Sequence, residues 1–210
     1  MYKRLVNIAL ILSLITIMYN LVEGTISVFF GLRDETLALF GFGADSFVEV
    51  ISGLGILHMV LRMKKNSDVK SRDVFERTAL RITGTSFYLL TAGLIIGAVT
   101  NIIEGAHTDT TIVGIIIAVI SLLTMYLLVI AKMNVGNKLR SDAIIADANC
   151  TKTCFHLSII LLVSSLLYEL FQIGFIDVAG SLGIAYFAFK EGKESFAKSK
   201  SETLSCSCED

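Results

Sequence analysis

The chain lacks proline and tryptophan, and only 18% of its 210 residues are charged. Helices without proline lose the commonest cause of sharp kinks, so bends would come from glycine, of which there are 16. The low charge accompanies 54% hydrophobic residues and a mean hydropathy of +0.72, which exclude an ordinary soluble domain of this size. The sequence therefore predicts a membrane protein that lies in the lipid bilayer and does not bind nucleic acid.

Apolar stretches long enough to span a bilayer occupy nearly the whole chain. A spanning helix needs about 20 mostly apolar residues. The sequence predicts six such helices, at about 6–31, 36–61, 79–103, 111–133, 141–168 and 174–191. The fold class expected is thus an all-α membrane protein with one six-helix domain over residues 1–193 and a short, disordered cytoplasmic tail over 194–210. The first apolar run is too long for a signal peptide, so we expect it to be retained as helix 1.

Basic residues concentrate in alternate connections. They precede helix 1, follow helices 2 and 6 and join helices 4 and 5, whereas the remaining connections contain only Arg33. The positive-inside rule therefore predicts that both termini are cytoplasmic. We expect a multi-pass protein of the cell's inner membrane.

Two pairs of possible metal ligands lie inside apolar stretches, Asp45 with Glu49 and Cys150 with Cys154. Each pair is spaced i, i+4, so a helix presents both members on one face. Glu49 and Cys154 fall near the midpoints of antiparallel helices 2 and 5, so both pairs could meet near the midplane. Two carboxylates and two thiolates make a four-coordinate set that zinc accepts and that favours soft ions.

Each pair also has a simpler interpretation. Cysteines in an apolar helix are commonly small packing residues. Two acids one turn apart repel each other unless a cation or proton relieves them, and acids at membrane depth often mark ion pathways. The predicted metal ligands are therefore Asp45, Glu49, Cys150 and Cys154.

Several segments resemble the cation diffusion facilitator, or cation efflux, family. They are Asn20-x-x-Glu23-Gly24 in helix 1, the run from Thr36 to Gly53 in helix 2, Leu139 to Ala148 at helix 5, and Asp177 with Glu191-Gly192 in helix 6. The helix 2 run contains Asp45-x-x-x-Glu49, which resembles the family's metal-binding pair. Where the family places His-x-x-x-Asp in helix 5, this chain has Cys150-x-x-x-Cys154, which favours thiophilic ions. Val178 replaces the proline expected after Asp177.

The resemblance implies proton-coupled efflux of a divalent metal such as zinc or cadmium by a homodimer. The metal is cargo, so no resident cofactor and no enzymatic activity are expected. The family commonly adds a folded cytoplasmic domain after helix 6, where we expect only the short tail. Two alternatives remain open: a non-transporting metal sensor or assembly partner, and a membrane thiol oxidoreductase in which Cys150 and Cys154 form a disulfide. No nucleotide-binding loop occurs, so transport driven by ATP hydrolysis in this chain is not expected.

Other ionisable residues permit weaker predictions. Lys152 either serves the metal site or pairs with an acid such as Glu23 or Asp147. Tail residues Cys206 and Cys208 either capture soft metal or are incidental thiols. His156 is expected to be packed or hydrogen-bonded and not a ligand. An outer-loop site formed by His107, Glu104 and Asp109 is less expected than a solvated loop.

Overall fold

A computed structural model describes residues 2–34, 36–65, 74–105 and 111–201. Within these ranges the chain forms six α-helices and no strand. The helices are α1 (Tyr2–Arg33), α2 (Leu37–Lys65), α3 (Val74–Glu104), α4 (Ile112–Leu139), α5 (Asp142–Phe171) and α6 (Gly174–Lys200). The all-α, six-helix prediction is confirmed, and most helices run a few residues beyond the predicted limits.

Five helices of the described part are long and apolar enough to cross a membrane, namely α1 to α5. The sixth predicted span, α6, is helical but is not one of these five. Its charged residues, among them Asp177, Lys190 and Glu191, lower its hydropathy. That α6 spans the bilayer and that both termini are cytoplasmic stay predictions.

The sixth helix extends further than expected. Residues 194–200 belong to α6, so this part of the predicted disordered tail is helical. The reason is packing: Phe196 stacks on Tyr88 of α3 with ring centroids 5.5 Å apart, and Ser195 and Ser199 are buried. Residues 202–210, including Cys206 and Cys208, lie outside the described residues.

Glycines allow α1 and α2 to pack closely. A β-carbon at Gly31 would lie 2.5 Å from the backbone nitrogen of Phe40, and one at Gly43 would lie 2.7 Å from that of Val28. Small residues at such contacts are the usual means by which membrane helices approach each other. The pairs α1–α2, α3–α6 and α4–α5 make the most extensive contacts in the described bundle.

The bundle has a basic end, at which α1, α3 and α5 begin and α2, α4 and α6 end. The last turns of α2, α4 and α6 there carry Arg62, Lys64, Lys65, Lys138, Lys198 and Lys200. Toward the opposite end lies an apolar cluster, called here the closed core. It consists of Ala38, Leu39, Phe42, Leu94, Ala118, Leu157, Leu161, Ile184 and Ala185.

Asp177 connects α6 to the start of α2 at the opposite end. Its side chain accepts hydrogen bonds from the backbone N–H groups of Leu37 at 2.8 Å and Ala38 at 3.3 Å. The first N–H groups of a helix have no partner within the helix. Asp177 satisfies two of them, which fixes the position at which α2 enters the bundle.

Candidate metal site

Side chains from all six helices line a small cavity in the half of the bundle nearer the basic end. This cavity, called here the chamber, has a volume of about 50 Å³. Most of the residues that line it have polar or ionisable side chains. Its carboxyl, thiol and ammonium groups belong to Glu49, Lys132, Asp147, Cys150, Cys154, Glu191 and Lys198.

Glu49 of α2 and Cys154 of α5 contact each other in the chamber, and the Cys154 thiol donates a hydrogen bond to Glu49 Oε1. The other carboxylate oxygen, Oε2, accepts a hydrogen bond of 2.8 Å from the side-chain amide of Asn20. Cys154 is only 5% exposed. One acid and one thiol of the predicted set are therefore brought together, and Asn20 orients the acid.

Asp45 lies deeper than Glu49, beside the chamber and not in its lining. It is 3% exposed, and its Oδ1 atom has no hydrogen-bond partner in the described part of the chain. The neighbouring Ser46 hydroxyl donates to Glu23 at 3.2 Å, and the Tyr19 hydroxyl donates to the same carboxylate at 2.8 Å. Asp45 thus belongs to a buried acidic layer in which its own oxygen is unsatisfied.

Cys150 lies at the edge of the chamber. Its sulfur accepts a hydrogen bond from the Lys198 ammonium at 3.4 Å. It also lines a second, larger cavity between α5 and α6 of about 490 Å³, called here the groove. Cys150 is half-buried, whereas Cys154 is buried.

The four predicted ligands do not form a closed cage in this conformation. Over residues 2–34, 36–65, 74–105 and 111–201, no three or more His, Cys, Asp or Glu side chains are grouped so that they could hold a metal ion. Residues at i and i+4 are about 6 Å apart along a helix, and the two helices are antiparallel. One member of each pair can therefore meet across the interface while the other two diverge, so the four-ligand cage stays a prediction.

The buried cation of the chamber is Lys132 of α4, which sequence reasoning missed. It is 1% exposed, and its ammonium lies 3.0 Å from Asp147 and 3.0 Å from the hydroxyl of Thr151. The sequence groups Lys132 with the basic residues that join helices 4 and 5, since it lies one residue before the predicted end of helix 4 at 133, whereas α4 continues to Leu139. Lys132, and not Lys152, is the described partner of Asp147, whereas Lys152 is exposed in the groove.

Glu191 is a further acid of the chamber that the sequence did not identify as a site residue. Its carboxylate accepts a hydrogen bond of 2.7 Å from Thr153. The sequence signal for Glu191 was its place in the Glu191-Gly192 segment of α6.

His156 lines the groove, with its ring parallel to that of Phe187 at 6.2 Å and its Nδ1 atom 2.6 Å from the Lys152 carbonyl oxygen.

The outer-loop prediction falls largely on residues that the structure does not describe. His107 and Asp109 lie outside the described residues, and Glu104 is exposed at the end of α3.

A profile of the cation efflux transmembrane domain matches residues 8–202, nearly the whole chain. The chain belongs to the cation efflux family. The resemblance seen in the sequence is thereby confirmed, and this cation efflux protein is an integral, multi-pass membrane protein of a family that transports cations. No curated protein matches the chain.

Proposed function

We propose that this protein is a proton-coupled efflux transporter of a thiophilic divalent metal such as zinc or cadmium, which Glu49 and Cys154 bind inside the chamber. The contact between these two side chains across α2 and α5, inside a polar chamber, carries the proposal. A carboxylate and a thiolate from facing helices provide a mixed hard and soft donor pair, which suits zinc and cadmium better than magnesium or calcium.

The buried oxygen of Asp45 supplies the next donor. An unsatisfied buried carboxylate oxygen is costly, and a cation or a proton relieves that cost. When α2 and α5 rearrange during transport, Asp45 and Cys150 complete the coordination begun by Glu49 and Cys154. The predicted four residues then act in sequence, with different partners in different conformations.

Proton coupling follows from the chemistry of the donors. A thiol must lose its proton to bind metal, and a protonated carboxyl binds metal poorly. Protons that reach the chamber from the acidic side therefore release the metal from the same groups. With the basic end in the cytoplasm, the chamber loads from the cytoplasm and discharges toward the outside.

The decisive experiment is uptake of zinc, cadmium and mercury into proteoliposomes under a pH gradient. The parent is compared with Glu49→Gln and Cys154→Ser, each of which removes one donor of the contact. Glu104→Gln is the control, because Glu104 is an exposed acid at the end of α3. Loss of proton-driven flux in both site variants, with full flux in the control, supports the proposal.

Other outcomes separate the alternatives. Metal binding without flux in the parent would indicate a sensor or assembly partner. Reversible disulfide formation between Cys150 and Cys154 during turnover, detected by mass spectrometry, would indicate a thiol oxidoreductase. Flux that survives both site variants would remove Glu49 and Cys154 from the pathway. The homodimer is tested on the same preparation by light scattering in detergent.

A further inference from the structure

The chamber and the groove share a wall. Cys150, Glu191 and Lys198 line both cavities. They come from two helices, since Cys150 is on α5 whereas Glu191 and Lys198 are on α6. A particle that moves between the two cavities must pass these three side chains.

Apolar clusters lie beyond the chamber toward both ends of the bundle. The closed core lies toward the opposite end. Toward the basic end, a second apolar cluster joins α1, α2, α4 and α5, with Val6, Ala9, Met59, Val60, Met63, Val135 and Ile144 as its buried members. A hydrated cation enters apolar packing at high cost. The polar wall toward the groove is therefore the favourable route.

An ammonium group already occupies this wall. The Lys198 ammonium donates to the Cys150 sulfur at 3.4 Å and lies 3.3 Å from the Glu194 carboxylate. The Glu191 carboxylate lines the same two cavities as Lys198. A cation is thus held between a soft donor and a carboxylate at the boundary of the two cavities, where Glu191 supplies a second carboxylate.

We propose that Cys150, Glu191 and Lys198 form a gate between the groove and the chamber, at which an incoming divalent metal displaces the Lys198 ammonium and is held by Cys150 and Glu191. The inference extends the proposed function, because it makes this pair a transit site ahead of Glu49 and Cys154. Cys150 binds the metal as a thiolate, and its proton leaves to water in the groove. The displaced ammonium remains with Glu194, its i, i+4 neighbour on α6.

The test uses full-length protein in detergent with Cys154→Ser, Cys206→Ser and Cys208→Ser, so that Cys150 is the only thiol. A polar maleimide labels Cys150, and increasing cadmium protects it. We compare this protein with a matched protein that retains only Cys154. We expect roughly tenfold faster labelling of Cys150, since thiol reactivity follows exposure. Equal labelling rates would overturn the gate.

Charge at the gate is tested in the Cys150-only protein. With Lys198→Met, half-protection should require several-fold less cadmium, because no ammonium competes for the donors. With Glu191→Gln it should require roughly tenfold more, since one donor is lost. The control is Lys193→Met, an exposed lysine on α6 that lines neither cavity.

A half-protection concentration unchanged in both gate variants, as in the Lys193→Met control, would overturn the proposal. If Lys198→Met does not fold, Lys198→Gln removes the same charge, and Glu191→Gln tests the donor independently. Protection of Cys150 is measured by labelling and does not require transport. Cadmium protection in a protein that does not transport would support the gate and contradict the proposed function. Transport by a protein whose Cys150 resists labelling would contradict the gate and support the proposed function.

Discussion

The two halves of the helix bundle contain opposite chemistry. Toward the basic end, carboxyl, thiol, amide and ammonium groups surround the chamber. Toward the opposite end, the closed core fills the space with side chains such as Leu39, Leu94 and Leu161, none more than 1% exposed. An ion therefore meets matched polar groups on one side and an apolar barrier on the other. A transporter needs this asymmetry, because an ion that leaked through both halves would dissipate the gradient.

The difference also shows where conformational change must occur. The closed core connects α2, α3, α4, α5 and α6, so the site cannot open to the opposite end until these helices separate. The chamber and the groove, by contrast, share only three lining side chains, those of Cys150, Glu191 and Lys198, and opening the proposed gate needs only their rotation. The following predictions test this contrast in order of decreasing effect.

The largest effect is expected from the buried charge of the chamber. Lys132→Met leaves Asp147 without its ammonium partner, and breaking a buried pair in this way costs about 3–5 kcal/mol. The matched control is Lys152→Met, since Lys152 is exposed and should change the free energy of unfolding by less than about 0.5 kcal/mol. Both values are measured by SDS titration in mixed micelles.

The double variant Lys132→Met/Asp147→Leu sharpens this result. Removing both charges leaves no unpaired group, so most of the lost stability should return. If Lys132→Met lowers the free energy of unfolding no more than Lys152→Met does, water must reach the chamber more freely than the burial of Lys132 indicates.

The closed core is tested by Leu161→Ala. Leu161 is fully buried, so the truncation leaves a cavity and should lower the free energy of unfolding by about 2–5 kcal/mol. Leu170→Ala on the same helix is the control, because Leu170 is 73% exposed and its truncation leaves no internal cavity. The proteins are compared by the same titration. Equal effects for the two leucines would show that the core is not the rigid barrier described above.

Orientation of the site acid is tested by Asn20→Ala. Asn20 is fully buried and donates to Glu49, so its removal should weaken metal affinity by about 10–100-fold, as loss of a group that orients a ligand does. Titration calorimetry with cadmium measures the change. Asn134→Ala, at an exposed position on α4, serves as the control. Unchanged affinity in Asn20→Ala would argue that Glu49 does not hold the metal.

The sequence predicted the helices well because apolar length is a local property. It also predicted that acid and thiol pairs face one another, and the Glu49–Cys154 contact agrees with that expectation. It could not predict which members meet, because that depends on the axial offset of α2 against α5. The spacing of residues within one helix gives no information about this offset between two helices.

The lysines whose ammonium groups line the chamber were harder still to predict. Lys152 was the obvious candidate because it lies between the cysteines, yet the cations at the site come from α4 and α6. Lys132 is grouped by sequence with the basic residues that join helices 4 and 5, and Lys198 falls in the segment expected to be disordered. Both errors have one cause: α4 and α6 continue past their apolar runs, since tertiary packing stabilises polar helical turns that hydropathy alone would end.

The smallest effect is expected at the boundary between the two halves. Ser158 lies one turn beyond Cys154 and three residues before Leu161; its hydroxyl oxygen is 2.9 Å from the Ser121 hydroxyl of α4 and 2.9 Å from the Cys154 carbonyl oxygen. Ser158→Ala removes one interhelical hydrogen bond, which in membrane proteins contributes about 0.6 kcal/mol. Ser13→Ala is the control, because the buried Ser13 hydroxyl bonds to the Ala9 carbonyl of its own helix.

Suppose that Ser158→Ala lowers the free energy of unfolding by only about 0.6 kcal/mol more than Ser13→Ala does. In that case the boundary is an ordinary helix contact, and the barrier resides in the closed core. A much larger loss in Ser158→Ala, measured by SDS titration, would place part of the barrier at Ser158 itself. The polar half would then extend one turn further toward the opposite end, and fewer apolar layers would separate the chamber from that end of the bundle.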